Sequence, residues 1–186
     1  PILNFIFKNA QLIAKNDILC YVNTDIILLN DFLSSIKTIN LSNYLLIGKR
    51  INANVIETID FSSNLFDSTI ENLKLDNIKF NNGGIDYFAF RRGMYNDIPP
   101  FAVGRAGWDN WFVYNSRRLN YPVIDASEFI TAIHQNHSYH HVPEKSGFQY
   151  GGPESETNLK LGGGRRIYFW NLDDADWILT TNGLIK

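Results

Sequence analysis

Four short stretches carry the side chains whose types and spacing could do chemistry. Asn23-Thr24-Asp25 ends the apolar run Ile18–Val22. In an extended chain Asn23 and Asp25, two apart, point the same way. Two oxygen ligands on one side of a strand end suit a hard divalent cation that bridges to phosphate oxygens. Asn and Asp are equally at home in a plain turn. In Gly107-Trp108-Asp109-Asn110-Trp111 a carboxylate lies between two indoles. It could be a general base beside rings that stack on a sugar, or it could cap a helix while the rings fill core. All four histidines fall within His134-Gln135-Asn136-His137 and His140-His141. They lack the cysteine partners or helical His-Glu-x-x-His arrangement of a self-contained zinc site. An imidazole at a strand end could instead complete the Asn23/Asp25 site, and it favours Zn or Mn over Mg. Asp86, after the turn signal Asn81-Asn82-Gly83-Gly84, could meet an acceptor hydroxyl or bond the turn's own backbone.

These groups need a scaffold, and 186 residues suffice for one domain with a real core. A net charge of −2 supplies no basic stripe for nucleic acid. No apolar run reaches the ~18 residues of a membrane span. One cysteine, Cys20 inside the apolar run, allows no disulfide framework. That fits a cytoplasmic location, with a peripheral position at the membrane left open. The chain opens at Pro1 and has Met94 as its one methionine, as a fragment or a processed chain would.

Ile18–Val22 reads as a strand buried on both faces and parallel to a neighbour. Leu3, Ile6, Phe7, Ala10, Ile13 and Ala14 recur at helical spacing and predict a helix over 2–15. Asn30 or Asp31 caps a second helix to about Asn40, with Phe32, Leu33 and Ile36 inward. Strands are expected at 44–51, 85–92, 122–126 and 129–134. Helices are expected at 66–75 and from Gly107 to about Asn120. The polar, Gly-rich stretch 143–166 reads as a mobile loop and Asp173–Leu179 as a closing helix. Gly162-Gly163-Gly164 is no phosphate loop, for it lacks the Gly-Lys-Ser/Thr ending. Arg91-Arg92, Arg105 and Arg165-Arg166 are candidate phosphate partners. The expectation is a single α/β domain over 1–186, with a core at 1–142, the loop at 143–166 and a closing segment at 167–186. A mostly parallel central sheet would be flanked by helices.

Taken together, Tyr21–Asp25, Asp86-Tyr87-Phe88, Gly107–Trp111 and Ile133–His137 resemble, in order and spacing, the nucleotide-sugar glycosyltransferases of the A-type (GT-A) fold. The likeness covers roughly residues 1–140. It implies that Asn23-Thr24-Asp25 matches the Asp-x-Asp motif holding Mn²⁺ or Mg²⁺ against the donor diphosphate. It implies that His134, with His137 in reserve, is a further metal ligand. Asp109 then matches the base of inverting members, and Asp86, Trp108, Asn110, Trp111 and His137 would meet substrate. Two departures stand out. Asn23 replaces an acidic ligand, and the strand-helix-strand unit that binds base and ribose in that family would lie before Pro1.

The implied function is metal-assisted transfer of a sugar from a nucleotide-diphosphate donor to a glycan or other hydroxyl acceptor, as in polysaccharide biosynthesis. A non-catalytic glycan-binding or scaffolding remnant is the alternative. A nucleotidyltransferase shares the general plan. Neither nucleic acid nor a transmembrane segment enters any of these readings.

Overall fold

A computed structural model describes residues 1–75, 80–137 and 151–186. The chain is mixed α/β, with its strands in two sheets joined along a seam. The first sheet runs β1 (Ile18–Val22), β6 (Tyr87–Arg91), β3 (Leu45–Ile47), β7 (Val123–Asp125), β9 (Trp177–Thr180) and β10 (Gly183–Ile185). The second runs β2 (Ile26–Leu28), β8 (Ala132–Gln135), β4 (Lys49–Ala53) and β5 (Phe80–Ile85).

The parallel pairs are β3–β7, β7–β9 and β4–β8, and the remaining pairings among the described residues are antiparallel. The expected mostly parallel sheet is therefore corrected to mixed sheets. The expected central, parallel, doubly buried Ile18–Val22 is corrected as well. β1 is an edge strand, antiparallel to β6, with Cys20 and Val22 exposed. A run of five apolar residues records an apolar neighbourhood but carries no direction and no count of neighbours. Strands buried on both faces are Leu45–Ile47 and, through Tyr87–Phe90, β6.

Strand alternation divides the core. Phe88, Phe90, Leu45, Ile47 and Val123 face one layer, and Tyr87, Ala89, Leu46 and Ile124 face the other. The first layer is covered by α1 (Leu3–Ile13) and α4 (Trp108–Arg118), the second by α2 (Asn30–Thr38). Leu3 and Phe7 are the buried residues of α1, while Ile6 and Ile13 are exposed. On α2, Phe32 is buried but Leu33 is exposed, and Leu29 rather than Asn30 or Asp31 is the N-cap. A third helix, α3 (Phe66–Leu75), covers the second sheet through Ile70.

Phe112 of α4 is the hub of the first layer. Its ring meets those of Phe7, Phe88, Tyr95 and Trp111 at centroid distances of 5.1, 5.4, 4.9 and 5.4 Å. Phe112→Ala is expected to cost about 3–5 kcal/mol, the usual toll of emptying a closed aromatic site. Chemical denaturation would measure it, and a loss below ~1 kcal/mol would mean that the neighbouring rings collapse into the space.

Three expectations about turns and loops are also corrected. Asn81–Gly84 lies within β5 instead of forming a turn. Residues 143–150 lie outside the described residues, but the rest of the expected loop is built. Pro153–Gly162 is a helix, α5, with Pro at its first turn and left-handed Gly163 after its end. Buried Asn158 pins it to the chain, accepting from the Ala102 N–H at 2.8 Å and donating to the Ala102 carbonyl at 3.0 Å. The expected closing helix is a short 3-10 turn, Leu172–Asp174, followed by the β9–β10 hairpin. Trp177-Ile178-Leu179-Thr180 is rich in strand-forming types, and Asn182-Gly183 supplies the reversal. No helix among the described residues is long and apolar enough to cross a membrane.

Candidate active site

The chain crosses between the sheets at Asn23–Asp25, at Gly48 and at Asp86, and the candidate site is built along that seam. Gly48 is required by close approach: a Cβ there would meet the Tyr87 hydroxyl. Asn23–Asp25 is a tight turn closed by the Ile26 N–H donating to the Asn23 carbonyl at 3.2 Å. The turn breaks the extended geometry that would aim Asn23 and Asp25 the same way, and the two side chains part.

Asp25 turns to the second sheet. Its Oδ2 lies 3.0 Å from His137 Nε2 and 3.2 Å from His134 Nε2. His134 is on β8 directly opposite Ile26, and the Gln135 N–H donates to the Asp25 carbonyl at 2.9 Å. The backbone ladder therefore holds acid and imidazole together. One ligand atom from each of Asp25, His134 and His137 lies within 4.8 Å of the others. Ligands about 2.1 Å from one ion and at right angles stand about 3.0 Å apart, so the spacing suits a shared cation. Asp25 Oδ1 and His134 Nδ1 are buried without a hydrogen-bond partner. Such orphaned atoms cost about 1–3 kcal/mol each, so this corner is arranged for something other than stability. Burial, helped by the charge of Arg50, lowers the His134 pKa, while Asp25 and Asp86 oppose the shift. The shift favours the neutral ring, the form that can bind a metal.

Asn23 does not join this set. Its Nδ2 donates to Asp86 Oδ1 at 2.6 Å, and its backbone N–H donates to the Asp86 carbonyl at 3.0 Å. Of the expected ligands, Asp25 and His134 come together with His137, while the Asn23 side chain turns to Asp86. Arg50 donates to the other Asp86 oxygen and, through Nε, to Asn52 at 2.9 Å. Both Asp86 oxygens are thus engaged, so Asp86 is placed to hold the seam together instead of meeting an acceptor.

Asp109 enters from the first sheet's side. Gly107, left-handed at φ 96°, is the N-cap of α4, which puts Asp109 at the second helical position rather than at the cap. Its Oδ1 accepts the Asn110 N–H at 2.9 Å. Burial pushes the carboxyl up to about 6, with the charge of Asp86 adding to it against the pull of local backbone N–H groups. Burial, then Asp86 and Asp25, push Tyr21 up to about 12. Asp86 acts on Asp109, on His134 and on Tyr21, so the acid from α4 and the Asp–His cluster share one electrostatic neighbourhood.

The expected stacking rings are not available. Trp108 and Trp111 are only 5% and 6% exposed. Trp108 packs on Tyr21 and Phe88, Trp111 on Phe101 and Phe112. Trp108 and Trp111, three apart, share the core-facing side of α4 with Phe112 and Asn115. The Asn110 amide donates to the Trp170 carbonyl at 2.6 Å, tying the closing segment to the helix. Arg92 and Arg105 are engaged with Asp17 and Glu154. His140 and His141 lie outside the described residues.

Arg50 is the residue that sequence reasoning missed. Its signal was the alternation Arg50-Ile51-Asn52-Ala53, which places Arg50 and Asn52 on the His134 face of β4. Tyr168 was missed too; its pKa is raised by burial and then by the charge of Asp109.

Comparison with protein-family models, curated proteins and solved structures found no match to this chain. The functional reading rests on the site itself.

Proposed function

We propose that the chain is a metal-assisted, inverting glycosyltransferase of GT-A-like plan, moving a sugar from a nucleotide-diphosphate donor to a hydroxyl acceptor. The observations that carry the proposal are the Asp25/His134/His137 cluster and a second acid, Asp109, whose carboxyl burial pushes up to about 6, with the Asp86 charge acting on both His134 and Asp109. Pairs of groups with divergent environments are the usual mark of assigned acid-base roles.

Asp25, His134 and His137 would hold the cation, and two imidazoles favour Mn²⁺ over Mg²⁺. When bound, it would neutralise charge on the departing diphosphate. Asp109, ionised above about pH 6, takes the acceptor hydroxyl's proton as that oxygen bonds to the anomeric carbon. The bond to the diphosphate oxygen breaks, and its electron pair leaves with the nucleotide. Asp86, clamped by Asn23 and Arg50, keeps the two halves in register. The reading as a glycan-binding remnant is weakened because the indoles of Trp108 and Trp111 are buried.

The test is a panel of nucleotide sugars with Mn²⁺, monitored for released nucleoside diphosphate. Release that a chelator abolishes and Mn²⁺ restores is the expected result. Mn²⁺ binding without release from any donor would leave a metal site and remove the transferase.

A further inference from the structure

The 3-10 turn Arg165–Phe169 is pinned to the first turn of α4 on both sides of Asp109. On the near side, a Cβ on Gly107 would stand 3.2 Å from Ile167 and 3.4 Å from Tyr168. On the far side, the Asn110 amide donates to the Trp170 carbonyl at 2.6 Å. Asp109 lies between these two anchors in the chain and keeps part of its surface.

The period of the turn sorts its side chains, because residues three apart eclipse in a 3-10 helix. Ile167, 3% exposed, points into the core. Phe169 is 78% exposed, and Arg166, which shares its side, is exposed too. Arg165 stands over Tyr168, the residue that lies against Gly107. The charges of Arg165 and of Asp109 both act on the Tyr168 hydroxyl, with opposite sign.

Arg50, Arg92, Arg105 and Arg117 are each paired with a carboxylate. Arg165 makes no ion pair among the described residues, although the chain carries a net charge of −2. An ionised Asp109 repels an anionic substrate. One guanidinium on the turn above it offsets that repulsion for one carboxylate, whose two oxygens match the guanidinium fork.

We propose that Arg165 binds a carboxylate on the acceptor, so that the acceptor is an acidic sugar whose ring hydroxyl meets Asp109. The inference rests on the transferase reading for the role of Asp109, while the acidic-sugar subsite is measured by binding alone.

The test titrates methyl β-D-glucuronide and methyl β-D-glucoside into the protein with Mn²⁺ at fixed ionic strength. The glucuronide is expected to bind ~3–10-fold tighter, between the worth of an exposed ion pair and that of a charged hydrogen bond shielded from water. Arg165→Gln, on an exposed side chain where folding is not at risk, should erase the preference. Arg166→Gln removes the same charge one residue away and should change the preference less than ~2-fold. A preference that is absent, that survives Arg165→Gln, or that falls equally in Arg166→Gln overturns the proposal, the last because a diffuse positive surface would then suffice. Inorganic pyrophosphate added with Mn²⁺ stands in for the donor's diphosphate and should leave the preference in place. Its loss would assign Arg165 to the donor and overturn the proposal as well. Nucleoside diphosphate release from a panel of nucleotide sugars is read beside these titrations. Its absence with the glucuronide preference intact would remove the transferase and keep the subsite, and release without the preference would do the reverse.

Discussion

Asp109→Asn is expected to cut transfer by ~10²–10⁴-fold, the usual worth of a general base, while making the protein more stable at pH 7. The two effects have one cause. The Asp109 carboxyl keeps its proton up to about pH 6 in the folded chain, against an ordinary value of 3.8. Between those values the folded state binds more protons than the unfolded one. Stability therefore falls as pH rises through that window and stays reduced above it. Asparagine has no charge to desolvate, so the variant should gain on the order of 1–2 kcal/mol at pH 7, less than the whole shift implies because Asp109 keeps some surface. Below about pH 4 the gain should vanish, since aspartic acid is then neutral in both states.

The wild-type kcat/KM should rise to a plateau above about pH 6 as Asp109 ionises. Denaturation of both proteins at pH 4 and pH 7, beside the transfer assay, checks all of this. If Asp109 were only a helix-end group, activity would survive the substitution. Near-normal turnover in Asp109→Asn would remove the base assignment and leave the fold untouched.

Helix and strand were legible in the sequence where the period was strong and the neighbours were local. The alternation in Tyr87–Phe90 reads correctly as two faces, because each of those side chains meets a packed layer. The α4 segment is legible for the same reason. What sequence could not supply was pairing partner and direction: Ile18–Val22 looks like a central parallel strand, and nothing local says that Tyr87–Arg91 runs antiparallel beside it.

The site was legible as residue types and less so as geometry. Asp25 and His134 meet across the β2–β8 pairing, as residue types at strand ends could. Asn23 and Asp25 point apart because a hydrogen-bonded turn replaces the extended backbone on which the two-residue rule depends. The tryptophans were misread because indoles beside an acid look alike in sequence whether they face a sugar or the core. Arg50 carries no motif; only the fold of β4 brings it to Asp86.

The proposed Asp25/His134/His137 ligand set makes the final expected result specific. Mn²⁺ affinity, measured by calorimetry with a nucleoside diphosphate present, should fall steeply in Asp25→Ala and in His137→Ala and change less than ~3-fold in Asn23→Ala. Loss of even an outer-shell partner commonly costs 10–100-fold, so loss of a direct ligand should cost at least that much. His137 is the sharper probe of the two histidines, being exposed where His134 is buried, so its removal tests coordination without opening the core. Asn23 has its amide committed to Asp86, and its loss should loosen the seam without touching the ion. Thermal unfolding gives a second readout. Mn²⁺ at 100 times its dissociation constant should stabilise the wild-type protein by about 2.7 kcal/mol, and Asn23→Ala by nearly as much. Asp25→Ala at the same concentration should gain little. Equal losses of Mn²⁺ affinity in Asn23→Ala and Asp25→Ala would mean that the Asn23 side chain leaves Asp86 when the ion arrives, and the two-histidine set would give way to an Asn23–Asp25 pair.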